Sequence, residues 1–433
     1  MKLHKLFSVC ALLLASANFA SATPLNLYIT GSTAFRSNVE KALRTQVFDA
    51  DGQLAIGFNG TTQDKQNCAV YHGNIGGVDW IIETAWSGSE AGIQTVAGAV
   101  SINFLNPSLL GAPGSTTNSL DDVTQTGYAG TQAVSQIPDT DLSDTAQAAS
   151  QFNGLFRSVT YPALNEAATA PIGINVFKFI ANKGSSLTGI TSQQVRALYS
   201  AGKLSLAFFT GNNADEANSV YCTGRNPDSG TRVTELLETG YGTATSIVKH
   251  FQPQTSGGAF INGSTGGLVG KLVVWPNETI NGIPANNGNS GYSSGGNLAK
   301  SLNNDFTNGG AGIVVGTTTF NNGGAHSLSF VGYASSNDAD AQIGAGVVEL
   351  AYNGVKVGVS ADYNTNTLLT EGQYTFWSKE HMNYGSAEDA THIAVINSIA
   401  ADVAGQALVV LPTSLKVTRA TDGGVVKAGY AVF

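Results

Sequence analysis

The chain has 433 residues, of which only 12% are charged and 52 are glycine, with a formal net charge of −9. That balance argues against nucleic acid, which selects basic faces, and leaves a surface built from Ser, Thr, Asn, Gln and Gly. The length points to two or three domains.

Residues 1–22 carry Lys2 and Lys5, an apolar run from Leu6 to Ala15, and Ala20-Ser21-Ala22. This is the pattern of an export signal with cleavage before Thr23. The apolar core is too short to span a bilayer. Two cysteines remain after processing, Cys68 and Cys222. One pair in so long a chain is no disulfide framework, and its state, bridged or two separate buried thiols, is left open.

Leu25, Leu27 and Ile29 alternate like a half-buried strand, and Gly31-Ser32-Thr33-Ala34 leads into a helix through Val39, Ala42, Leu43 and Val47. The construction recurs where Val78, Trp80, Ile81 and Ile82 precede Trp86-Ser87-Gly88-Ser89 and a helix carrying Ile93 and Val96. Pro171 to Ile180 reads as a buried strand, and Thr188 to Ser200 as a capped helix that ends near Gly202. A third hydroxyl-rich helix start follows in Arg225-Asn226-Pro227-Asp228-Ser229-Gly230-Thr231, ahead of Val233, Leu236 and Leu237. Helix N-termini present unsatisfied N–H donors and a partial positive charge. Two hydroxyls, a glycine and a guanidinium at such an end suit an oxyanion, and three such starts point to one shared pocket. In Asn281–Asn297, Gly and Asn supply ten of seventeen residues, which marks loops. A long helix is expected over Glu388–Val403 and a hairpin around Asp422-Gly423-Gly424.

Taken in order, Gly31-Ser32-Thr33-Ala34-Phe35, Trp86-Ser87-Gly88-Ser89-Glu90-Ala91-Gly92, the segment Phe177–Gly202, Arg225–Thr231 and Gly372–Trp377 resemble the type 2 periplasmic solute-binding proteins of the phosphate-binding branch, receptors of ABC phosphate importers. The resemblance implies an α/β fold of two domains with a ligand cleft between them. Domain one would combine 24–168 with 327–420, and domain two would be 169–326 with the Gly/Asn-rich loops. It implies a monomeric receptor for a phosphate-like anion, with an ABC importer membrane component as partner, no cofactor, no turnover, and a periplasmic or extracellular location. Ser32, Thr33, Ala34 and Ser89 would form one wall of the site, and Arg225, Ser229, Gly230 and Thr231 the other. The family's Ser-Asp segment, whose aspartate accepts the proton of hydrogen phosphate, falls near Tyr128–Gln136, where Gln132 or Ala133 takes the aspartate's place. Asp121, Asp122 and Asp139 are the nearby substitutes, and without a carboxylate phosphate and sulfate would be poorly told apart.

Two readings compete. One is a surface or scaffold protein that keeps this fold without transport. The other is a secreted serine hydrolase, because Gly291-Tyr292-Ser293-Ser294-Gly295 matches the nucleophile-elbow pattern, although a Gly/Asn loop precedes it instead of a strand. The histidines show no metal-ligand spacing. His381 and His392 could flank one helix, but eleven residues apart they read as ordinary surface histidines.

Overall fold

The computed structural model describes residues 23–49, 54–59, 66–110, 132–151, 160–243, 247–280, 283–321, 327–407 and 409–429. The export signal, Asp121, Asp122 and His326 lie outside the described residues.

The fold is mixed α/β around a sheet of twelve strands. Ten form its main path: β1 (Leu25–Gly31), β2 (Ala55–Asn59), β3 (Cys68–Ile75), β4 (Val78–Ala85), β5 (Thr140–Ser143), β6 (Gly173–Ala181), β7 (Lys203–Ser205), β8 (Ser219–Cys222), β9 (Leu328–Ser335) and β10 (Trp377–Tyr384). Their spatial order is β7-β8-β9-β6-β10-β5-β1-β4-β3-β2. β1 runs parallel to both β4 and β5, as a strand–helix–strand crossover requires. The helices used below are α1 (Arg36–Ala42), α2 (Ser89–Ala97), α3 (Ser192–Ala201), α4 (Gly230–Glu238), α5 (Gly295–Leu302), α6 (Ser336–Ile343) and α7 (Ala390–Ala404).

β10 joins the two halves. Its first residues, Trp377–Glu380, pair with β6, and its last, His381–Tyr384, pair with β5. One core gathers Leu27, Ile29, Val39, Trp80 and Ile82 with Ile396 and Ile399 of α7. A second gathers Phe177, Phe179, Val195, Leu198, Val331 and Phe376. β6 is buried along its whole length, which accounts for its near-continuous Ile/Val/Phe run.

Local chemistry sets the helix ends. Thr191 and Gln194 form a reciprocal capping box on α3, and Gly202 ends that helix in the left-handed region at φ 78°. Asp389 caps α7 through the N–H groups of Thr391 and His392. The expected terminal hairpin is present as Val417–Thr418 paired with Lys427–Ala428.

Two expectations change. β9 pairs with β6 and β8, and Leu350, Tyr352, Tyr374 and Phe376 pack in the second core, so the chain returns to the first half along β10 and not at residue 327. His381 is not a surface histidine: it lies on β10 at 6% exposure with its Nδ1 against Glu166 Oε1 at 2.8 Å, while His392 is on α7. Of the two states left open for the cysteines, the structure has two separate buried thiols, Cys68 on β3 and Cys222 on β8, with six strands of the sheet between them. At about 4.8 Å per strand that separation rules out a bridge. Among the described residues, no helix is long and apolar enough to cross a membrane.

Candidate functional site

All three hydroxyl-rich segments lie at helix starts, and they converge. Gly31 ends β1 at φ 115°, and a Cβ there would lie 2.1 Å from the Leu142 carbonyl oxygen, so glycine is required where the chain turns toward Ser32. Ser32 then donates its N–H to Leu142 O at 2.8 Å. The Gly88 N–H bonds to Gly31 O at 2.8 Å, tying the second segment to the first. The Glu90 N–H crosses to Asp228 O at 3.0 Å, tying the second to the third. At the closest approach a Cβ on Gly230 would lie 2.5 Å from Ser89 Oγ. The starts of α2 and α4 are therefore in direct contact.

The group at the centre of this convergence is a carboxylate that sequence reasoning missed, Asp144. It directly follows β5 and is 2% exposed. Ser32 Oγ donates to its Oδ1, Thr231 Oγ1 donates to its Oδ2 at 2.9 Å, and Asn175 Nδ2 donates to Oδ1 at 3.2 Å. The Asp144 N–H in turn bonds to Ser89 Oγ at 3.1 Å. Gln132 and Ala133, expected where the family has its aspartate, instead belong to Gln132–Gln136, a strand paired with Ile102–Leu105 in a separate ribbon. Asp139 is occupied elsewhere, accepting the Tyr28 N–H at 2.7 Å. The available signal was Ser143-Asp144 at the end of Thr140-Asp141-Leu142-Ser143. That strand is buried at every position in spite of its polar composition.

Arg225 stands beside this cluster at 3% exposure. Its Nε donates to Tyr292 O at 3.0 Å, and its Nη2 donates to Ser293 O at 2.8 Å and to Thr33 Oγ1 at 3.4 Å. Burial pulls its pKa down, while Tyr333, Asp144 and Asp338 oppose the shift. The predicted residues thus fall into two adjoining groups. Ser32, Ser89, Gly230 and Thr231 gather on Asp144, whereas Thr33 meets Arg225. Ser229 caps α4, accepting the Arg232 N–H at 3.3 Å, and the Ala34 N–H turns in toward Ser32 Oγ at 3.2 Å.

Acidic groups back the cradle. Burial raises the Glu380 carboxyl well above its ordinary range, and neighbouring Asp144 adds to the shift. Burial also pushes Glu90 up to about 7 against hydrogen bonds from Ser150, Thr145 and the Gln151 N–H. Ser293 does not sit in an elbow, since Tyr292 before it makes only an isolated bridge to Arg225. Ser294 is the residue preceding α5.

No family model matches the chain, and no curated protein matches it significantly. Among solved structures, the chain is similar to a provisionally assigned phosphate ABC transporter substrate-binding protein from Clostridium perfringens with bound phosphate, at 14% identity and TM-score 0.42, over 89% of this chain and 99% of that one. It is also similar to an ABC-type phosphate transport receptor from Vibrio cholerae, at 11% identity and TM-score 0.39, over 89% and 100%. A phosphate binding protein from Stenotrophomonas maltophilia matches at 12% identity and TM-score 0.35, over 94% and 87%. None of these likenesses bears on which ligand this chain binds.

Proposed function

We propose that the protein is an exported solute-binding protein that holds a small oxyanion, phosphate or a phosphate-like group, in the cleft between the two halves of the sheet. The observation that carries this reading is the convergence on one buried point of the starts of α1, α2 and α4, with the Arg225 guanidinium beside it. In such a water-poor site each charge-assisted hydrogen bond contributes about 1.5–3 kcal/mol. Asp144 supplies the acceptor that the resemblance requires. It already takes three side-chain donors and also hydrogen-bonds the buried Glu380 carboxyl, so a hydrogen phosphate donates its proton there by displacing one of these partners. Fully ionised sulfate has no proton to donate there.

On this reading the protein performs no turnover, is cleaved before Thr23 and delivers its ligand to an ABC importer membrane component. One observation favours the scaffold alternative: the hydroxyls of Ser32 and Thr231 are already engaged by Asp144, and the starts of α2 and α4 touch. Equilibrium dialysis of the mature chain against radiolabelled phosphate separates the two. Saturable uptake of one phosphate per chain, lost in Arg225→Ala, supports the receptor. No uptake by dialysed protein supports the scaffold. Amino-terminal sequencing of secreted material checks the Thr23 start.

A further inference from the structure

A cavity of about 540 Å³ adjoins the cradle, and both halves of the molecule line it: Thr33, Asn67, Ser87 and Asn103 from the first, Ser293 and Ser294 from the second. A buried cation stands behind its inner wall. Thr33 Oγ1 and Ser293 O are the two groups that Arg225 Nη2 hydrogen-bonds, so the guanidinium stands directly behind that wall. A second cation flanks it. Arg36 Nη1 donates to Asn67 Oδ1 at 3.4 Å, while its buried Nε has no hydrogen-bond partner among the described residues.

Size and lining decide what such a cavity takes. A five-atom oxyanion needs roughly the space of two or three waters, about 60–90 Å³. The cavity is several times larger and falls within the range of about 300–1,000 Å³ that accommodates organic ligands. Its lining is mostly side-chain amides and hydroxyls, with no carboxylate among the described residues. Trp86 also borders it, but the ring is 7% exposed and its Nε1 is tied to Glu40 Oε1 at 2.7 Å, so it offers no face on which a nucleobase could stack. Amides and hydroxyls both donate and accept, which matches a polyhydroxylated group.

We infer that the ligand is a phosphate monoester of a polyol or sugar, taken up as the monoanion whose remaining proton Asp144 accepts, its phosphoryl group in the cradle at Thr33 with Arg225 behind it and its hydroxylated part among Asn67, Ser87, Asn103 and Ser294. This rests on the oxyanion reading above and narrows it. Calorimetric titration of the mature chain with glycerol 3-phosphate, ribose 5-phosphate and inorganic phosphate tests it. At least one ester should bind ten times or more tighter than inorganic phosphate. Asn103 is exposed at the cavity wall, and Asn103→Trp, checked for an unchanged melting temperature, should bring the ester-to-phosphate affinity ratio down to about one. Phosphate binding as tight as that of both esters overturns the inference and leaves the oxyanion reading standing. An ester preference that Asn103→Trp does not alter also overturns it. Failure of all three to bind overturns both.

Discussion

Thr231 Oγ1 and Asp144 Oδ2 meet at 2.9 Å, joining the first turn of α4 in one half of the molecule to the end of β5 in the other. The contact puts a carboxylate acceptor in the cradle, so phosphate and sulfate should be distinguished, contrary to what Ala133 suggested. Asp144→Asn keeps the size of the side chain and replaces the acceptor oxygen with an amide. Competition dialysis at pH 7 should show the wild type preferring phosphate by at least tenfold and the variant binding both anions within about threefold. An equal preference in the wild type would remove Asp144 from this role.

Arg225 is the buried cation of the site, and neighbouring backbone donors cannot replace its charge. Arg225→Ala should weaken phosphate binding by roughly 10- to 150-fold, the equivalent of one charged hydrogen bond at about 1.5–3 kcal/mol. Ser229→Ala should cost less, because Ser229 Oγ bonds within its own helix. The ratio of the two dissociation constants is the readout.

A buried ion pair ties the terminal segment to α4. Arg419 Nη1 lies 2.9 Å from Glu238 Oε2, its Nη2 donates to Thr375 O at 2.6 Å, and its guanidinium stacks 4.1 Å over Trp377. Removing one member of such a pair leaves a buried charge uncompensated, at a cost of about 3–5 kcal/mol. Urea denaturation should show Arg419→Ala losing stability in that range. Adding Glu238→Gln should recover part of the loss, a coupling that a double-mutant cycle measures.

The buried carboxyls set the pH dependence. Burial pushes Glu235 up to about 8, with Arg232 opposing only in part, and Glu90 up to about 7. In the unfolded chain both ionise near their ordinary value of about 4.3. From there up to pH 7–8 the folded state holds protons that the unfolded state has released, so stability falls as pH rises through that window. The melting temperature should be higher at pH 5 than at pH 8. Glu235→Gln should flatten the decline by about one proton's worth, and an unchanged slope would show that Glu235 is ionised in the folded state.

Helix starts and stops were largely legible in the sequence because they are written in local chemistry: the stop at Gly202 and the hydroxyl-rich turns at Ser32, Ser89 and Ser229, although the helix read from Thr188 starts only after the Thr191 cap. The convergence of those turns was legible as a shared motif. Asp144 was not. Thr140-Asp141-Leu142-Ser143 alternates too little apolar character to read as a buried strand, and its Asp141 and Thr140 are sustained by partners on β10, the Asn383 side chain and the Asn383 carbonyl, 242 and 243 positions away. The return point of the chain was legible in part: Gly372–Trp377 resembles the family's re-entry segment and leads into β10, although the domain bounds put the return at 327. The apolar run Leu328–Gly332 announces a strand but not its neighbours, and its pairing with β6 and β8 is a tertiary choice.

The claim that this cleft holds an oxyanion is tested most directly by calorimetric titration of dialysed mature protein with phosphate, sulfate and arsenate. The account predicts saturable heat with phosphate and arsenate at one ligand per chain, and little with sulfate. Absence of heat with all three, in protein shown to carry no prebound ligand, would contradict it and leave a closed scaffold held together by Asp144.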